Sequence, residues 1–176
     1  MDYQALEEHI KDSVMEEQAK LGFRKEVIRL YYPVGMLNNL FGTACDAEEM
    51  QQALAGFTDF AKERLGEVTI THKKDRFCLL LPEETSIYVH EHKKENEFIH
   101  QLVNLIASHE TDMEQVKQLF EQQPFPCVVE QTTGGEFDTV IHFTQGDDRY
   151  YYCFKDEGFH ITYHRFLPAD YKDLGV

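Results

Sequence analysis

The stretch Arg149-Tyr150-Tyr151-Tyr152-Cys153-Phe154-Lys155-Asp156-Glu157-Gly158-Phe159-His160-Ile161-Thr162-Tyr163-His164-Arg165-Phe166 decides the fold class. Aromatic and β-branched residues are dense on both sides of Asp156-Glu157-Gly158, a turn signal, so the stretch reads as two strands of a hairpin. A four-residue turn, Lys155 to Gly158, pairs Phe154 with Phe159. Alternation then puts Tyr150, Tyr152, Phe154, Phe159, Ile161 and Tyr163 on one face and Arg149, Tyr151, Cys153, His160, Thr162 and His164 on the other. Working back, Phe137–Phe143 and Cys127–Gln131 read as two further strands, with turns at Thr133-Gly134-Gly135 and Gln145-Gly146-Asp147-Asp148. Residues 127–166 are expected to form an antiparallel β-meander.

Upstream, the apolar period changes. In residues 1–65, Leu6, Ile10, Val14 and Leu21 recur at helical spacing, Val27, Ile28 and Tyr31 continue the pattern to Pro33, and Val34, Leu37, Leu40 and Phe41 suggest a short helix ending near Gly42. Asp46 and Glu49 resemble a capping box, before a face of Met50, Leu54, Phe57, Ala61 and Leu65. Residues 66–92 read as β: a hairpin around His72-Lys73-Lys74-Asp75, then a third strand at Ile87-Tyr88-Val89-His90. Residues 93–123 read as a helical pair, with Phe98, Ile99, Leu102, Val103 and Ile106 on one face and a capping box at Thr111–Glu114 opening the second helix. This order predicts an α+β fold, a single domain over 1–176, with the meander packed on helices.

If Phe137, Thr139, Ile141 and Phe143 join the aromatic face, Asp138, Val140 and His142 fall on the opposite one. That face then gathers His142, Arg149, Cys153, His160 and His164, with Cys153 opposite His160 and Arg149 opposite both His142 and His164. Thiolate, imidazole and carboxylate are the donor types that hold zinc or a related divalent metal. A metal site would draw on His90, His92, His160 and His164, and His90 and His92 share one side of the expected third strand. Cys153 beside His160 also has the types for a thiolate–imidazole pair. Against both readings stand Arg149, which repels a cation, and the ordinary alternative of a half-solvated sheet face. The aromatic face reads as core rather than a base-stacking platform, because acids line its turns. Asp147-Asp148 reads as a pair of solvated turn residues.

No phosphate loop, Gly-x-Gly-x-x-Gly, His-Glu-x-x-His or Gly-x-Ser-x-Gly motif is present. No resident cofactor is expected; a divalent metal is the one group these residue types would serve. The 176 residues carry 17 Lys and Arg against 32 Asp and Glu, a net −15. That charge disfavours duplex nucleic acid and anionic membranes and favours a cationic partner, such as a basic protein. The acidic N-terminus has no apolar segment of a secretory signal, and the four cysteines have no Cys-x-x-Cys spacing, so reduced thiols in a cytoplasm are expected. A non-catalytic interaction or regulatory protein is the leading expectation, and a small metal-dependent or Cys/His-based enzyme the alternative.

Ile87-Tyr88-Val89-His90-Glu91, Tyr150-Tyr151-Tyr152-Cys153-Phe154 and His160-Ile161-Thr162-Tyr163-His164-Arg165-Phe166 resemble segments of small bacterial proteins of unknown function. The resemblance covers the second half of the chain. It implies no activity and carries over no site residue.

Overall fold

The computed structural model describes residues 1–94, 96–108 and 110–175, and these form seven helices and two antiparallel sheets, an α+β fold. They divide into two compact units, Met1–Glu95 and Asn96–Val176.

In the first unit, Asp2 opens α1 (Tyr3–Leu21) by accepting the Ala5 N–H, and Gly22 closes it with a positive φ. Leu6, Ile10 and Val14 are fully buried, whereas Leu21, expected on the same face, is exposed. The chain then departs from the expected run of helices. Ile28–Pro33 is a strand, β1. Ile28, Leu30 and Tyr32 alternate inward while Arg29, Tyr31 and Pro33 point out, so the period is two. Pro33 ends this edge strand and caps α2 (Val34–Phe41), a position where its missing N–H costs no ladder bond.

Asp46 and Glu49 form the anticipated capping box of α3 (Ala47–Leu65), and all five predicted face residues are buried. The hairpin of β2 (Thr69–Lys73) and β3 (Arg76–Leu81) follows, and β3 lies in the middle of a sheet of order β1-β3-β2. Its inner face, including Phe77 and Leu79, packs in one core with α1, α2 and α3.

The expected third strand at Ile87–His90 is instead part of a helix, α4 (Glu83–His92), opened by Pro82. Its buried residues are Thr85, Ser86 and Val89, two of them polar. The Thr85 hydroxyl donates to the Leu65 carbonyl (2.5 Å) and the Ser86 hydroxyl to the Arg24 carbonyl (2.5 Å). Buried polar groups are tolerated when hydrogen-bonded in this way. The β-branched run that suggests a strand is overridden by these tertiary bonds.

The second unit begins with α5 (Glu97–Ala107) and α6 (Met113–Glu121), the expected helical pair. The capping box of α6 lies one residue later than predicted, between Asp112 and Gln115, because the Thr111 hydroxyl is engaged by the Leu105 carbonyl. The meander follows as β4 (Cys127–Gln131), β5 (Thr139–Phe143), β6 (Tyr151–Asp156) and β7 (Ile161–Phe166), in that order across the sheet. A short helix, α7 (Pro168–Asp173), comes after it.

The β6–β7 register differs from the expected one. Phe154 lies opposite Tyr163 and Cys153 opposite His164, and the four-residue turn is 157–160. Strand β6 runs two residues further because Lys155 pairs with Asp138 (2.8 Å) and the Asp156 N–H donates to the other Asp138 oxygen (3.1 Å). The Asp156 side chain accepts the Gly158 N–H, and Gly158 has a positive φ suited to glycine. The turn moves by two residues, an even step, so every side chain on the two strands keeps its predicted face.

Candidate functional site

Strand β6 places Cys153 on the face expected to be polar, but that face is roofed by aromatic residues. Phe137, Val140 and Cys153 form a small buried cluster with Tyr151, Phe166 and Tyr171 against it. Phe137, expected on the opposite face, lies outside β5 and so escapes its alternation. The His142 ring stacks on Tyr151 at 4.2 Å, and Tyr151 stacks on Tyr171 of α7 at 4.9 Å. Cys153 is fully buried, and loss of hydration pushes its thiol up to about 12. A thiol in that state is the opposite of an activated nucleophile.

The remaining predicted residues are dispersed. His160 sits in the β6–β7 turn, where its Nε2 lies 3.1 Å from Glu157, so it does not face Cys153. His164 is the residue opposite Cys153, but it is exposed, with its ring 5.8 Å from that of Phe137. Arg149 is exposed and precedes β6, so it pairs with neither His142 nor His164; His142 lies opposite Tyr151. It is Arg165 that packs a guanidinium on aromatic rings, 4.4 Å from the Tyr150 centroid. In the first unit, His90 stacks on Phe23 (3.9 Å) and His92 on Tyr88 (4.4 Å). Two residues apart on helix α4, the two histidines no longer share a side. Within each unit, among the described residues, no three His, Cys, Asp or Glu side chains gather into a metal-holding group.

Native-state alkylation checks this placement of the thiols. Iodoacetamide should modify Cys45, Cys78 and Cys127, which are half-buried, well before Cys153, which should react only on unfolding. Mass mapping that found Cys153 modified first would contradict the roofed cluster.

The second unit instead contains a recess that the sequence reading leaves unassigned. It encloses about 210 Å³ between the start of α5, the Pro124-Phe125 loop, the end of β5 and the turn before β6. Phe98, Phe125 and Phe143 supply aromatic walls, and Asp147 and Asp148 supply carboxylates. The Phe98 and Phe143 rings meet edge to face at 5.3 Å. Phe125 is 44% exposed. Its ring rests on Gly146, where an added Cβ would come within 2.8 Å and where φ is +92°.

Asp148 is held rigidly: one oxygen accepts the Tyr150 N–H (3.0 Å) and the other the Tyr152 hydroxyl (2.6 Å). Burial raises the Tyr152 hydroxyl well above its ordinary pKa, with the neighbouring Asp148 charge adding to the effect. Tyr152 therefore stays a proton donor to Asp148. Asp147 beside it is exposed. The signals for this recess were an aromatic residue between two prolines and an acidic Gly-containing turn, each also an ordinary loop composition.

Fold and recess together define an α+β protein with a side-chain-sized pocket of aromatic rings and carboxylates. The chain belongs to the family described as "Domain of unknown function, E. rectale Gene description (DUF3877)", whose model matches residues 3–175. No curated protein and no solved structure matches the chain. Among the described residues, no helix is long and apolar enough to cross a membrane.

Proposed function

We propose that this is a non-catalytic interaction protein that binds a basic partner protein by seating one of its Lys or Arg side chains in the 210 Å³ recess. The observation that carries the reading is the combination of aromatic walls with the Asp147-Asp148 carboxylates in one concavity. Aromatic faces attract a cation through the ring quadrupole, and a carboxylate completes the charge. The volume is below the ~300–1,000 Å³ of small-molecule pockets and fits a single long side chain better. The chain's net charge of −15 adds long-range attraction for a basic surface.

The test uses the full chain and a fluorescent arginine- and lysine-rich peptide as probe. Binding is expected to weaken steeply from about 0.1 M to about 1 M salt, as the screening length falls from about 10 Å to about 3 Å. Phe125→Ala and Asp147→Asn should each weaken it about 3- to 30-fold at low salt. Gly146→Ala, which displaces the Phe125 ring without deleting a contacting group, should act in the same direction. Salt-dependent binding that all three variants leave unchanged would place the peptide elsewhere and overturn the recess as the site.

A further inference from the structure

The first unit carries a feature of opposite sign. Strand pairing sets three rows on the outer face of the β1-β3-β2 sheet: Arg29, Leu80 and Thr69; Tyr31, Cys78 and Thr71; Pro33, Arg76 and Lys73. Rows two residues apart are separated by about 7 Å. The middle row therefore lies between Arg29 on one side and the Arg76–Lys73 pair on the other. A cavity of about 560 Å³ opens over the central and last rows and the hairpin turn, lined by Tyr31, Lys73, Lys74 and Arg76 among others. Tyr31 is 59% exposed, and Arg29, Lys73 and Arg76 are exposed around it.

Charge makes this face unusual for the chain. Acids outnumber bases 32 to 17, and Lys11, Lys62, Arg64, Lys93 and Lys155 are each paired with a carboxylate. Among the described residues, Arg29, Lys73, Lys74 and Arg76 have no such pair, as is true of several bases elsewhere, but here three of them line one cavity in which Asp75 is the one acid. Lys74 stands in the hairpin turn with a φ of +55°, a conformation that glycine or asparagine adopts more readily. Lys73, Lys74 and Arg76 outnumber Asp75 three to one in the cavity lining, and like charges gathered beside an exposed ring favour an anion that also has a flat face.

We propose that this sheet face binds a mononucleotide, its base stacked on Tyr31 and its phosphate chain on Lys73, Lys74 and Arg76. The cavity lies within the ~300–1,000 Å³ range of small-ligand sites. Stacking on tyrosine is tolerant of base identity, and guanidinium and ammonium groups bind phosphate oxygens through charge-assisted hydrogen bonds. The patch offers one exposed ring, a platform for one base. A longer polyanion would have to leave this patch while bound to a chain of net charge −15.

Calorimetric titration of the full chain tests the assignment with four probes: adenosine triphosphate, inorganic triphosphate, adenosine and a single-stranded decanucleotide RNA. The nucleotide is expected to bind with a stoichiometry of one and more tightly than either fragment. Tyr31→Ala should weaken nucleotide binding about 5- to 100-fold while leaving inorganic triphosphate unaffected. Lys73→Gln/Arg76→Gln should weaken both phosphate-bearing probes about tenfold or more. All three positions are exposed, and an unchanged thermal unfolding midpoint confirms that each variant is folded. Triphosphate binding as tightly as the nucleotide, RNA binding more tightly than it, or no saturable nucleotide binding would each overturn the proposal.

Discussion

Replacing Phe120 by alanine is expected to cost about 3–5 kcal/mol, the largest loss of any single substitution considered for the second unit. Phe120 is fully buried, and its ring centroid lies 4.8 Å from that of Phe98, 5.3 Å from Phe143, 5.2 Å from Tyr152 and 6.0 Å from Phe154. Most of these contacts are edge to face, the geometry in which the positive rim of one ring meets the negative face of another. Truncation therefore removes apolar burial, leaves a cavity and strips several rings of a partner at once. Domains are typically stable by only about 5–15 kcal/mol, so a loss of this size is roughly a fifth of the total or more. Urea unfolding should show a lower midpoint. Phe159→Ala, at a ring that is 72% exposed in the turn, should change stability by no more than about 0.5 kcal/mol. A loss below about 1 kcal/mol for Phe120→Ala would mean that α6 does not anchor the sheet as described.

The double substitution Lys11→Ala/Arg64→Ala should be comparably costly in the first unit, about 3–5 kcal/mol at neutral pH. Glu7 of α1 is only 3% exposed. Its carboxylate receives Lys11 Nζ at 2.5 Å and Arg64 Nε at 2.8 and 3.0 Å. Burial by itself pushes the Glu7 carboxyl up, but hydrogen bonds and charge from Arg64 and Lys11 outweigh it and hold the group below the ordinary carboxylate range. Removing both cations leaves a buried charge without compensation.

The pH dependence follows from the sign of that shift. A carboxyl whose folded pKa is lowered contributes stability that is fully present above its unfolded value of about 4.3 and is lost as the pH falls through the folded value. In the double variant burial alone acts, the folded carboxyl is raised, and protonation relieves its cost. The gap between parent and variant should accordingly be widest near pH 7 and close below about pH 4. Denaturation at the two pH values measures this directly. A gap independent of pH would assign the loss to packing of the two side-chain stems, since Arg64 also lies over the Phe60 ring and Lys11 over Tyr88.

Local chemistry explains which parts of the molecule could be read from sequence. Helix α3 was legible because its cap, its apolar face and its glycine stop all agree. Strand β1 was not, because Ile28 and Tyr31 fit a helical spacing about as well as Ile28, Leu30 and Tyr32 fit alternation. The identity of α4 depends on Thr85 and Ser86, whose partners Leu65 and Arg24 are 20 and 62 residues away. Hydropathy carries no trace of such bonds. For the predicted cluster, alternation placed Cys153 and His142 on the correct face of the meander. It could not foresee that Phe137, Phe166 and Tyr171 would cover that face. Nor could the turn Gln145–Asp148 reveal that its glycine supports Phe125 from another loop.

The two-residue displacement of the β6–β7 turn has a consequence for how this hairpin forms. The arrangement with Phe154 opposite Phe159 and the native one with Phe154 opposite Tyr163 present the same side chains to the same faces. Burial of Tyr152, Phe154 and Ile161 therefore discriminates little between them during folding. Asp138 engages Lys155 and the Asp156 N–H together, which requires strand β6 to extend to its native end. One half-buried carboxylate thus serves as the arbiter between two competing hairpins that the apolar pattern treats as equivalent.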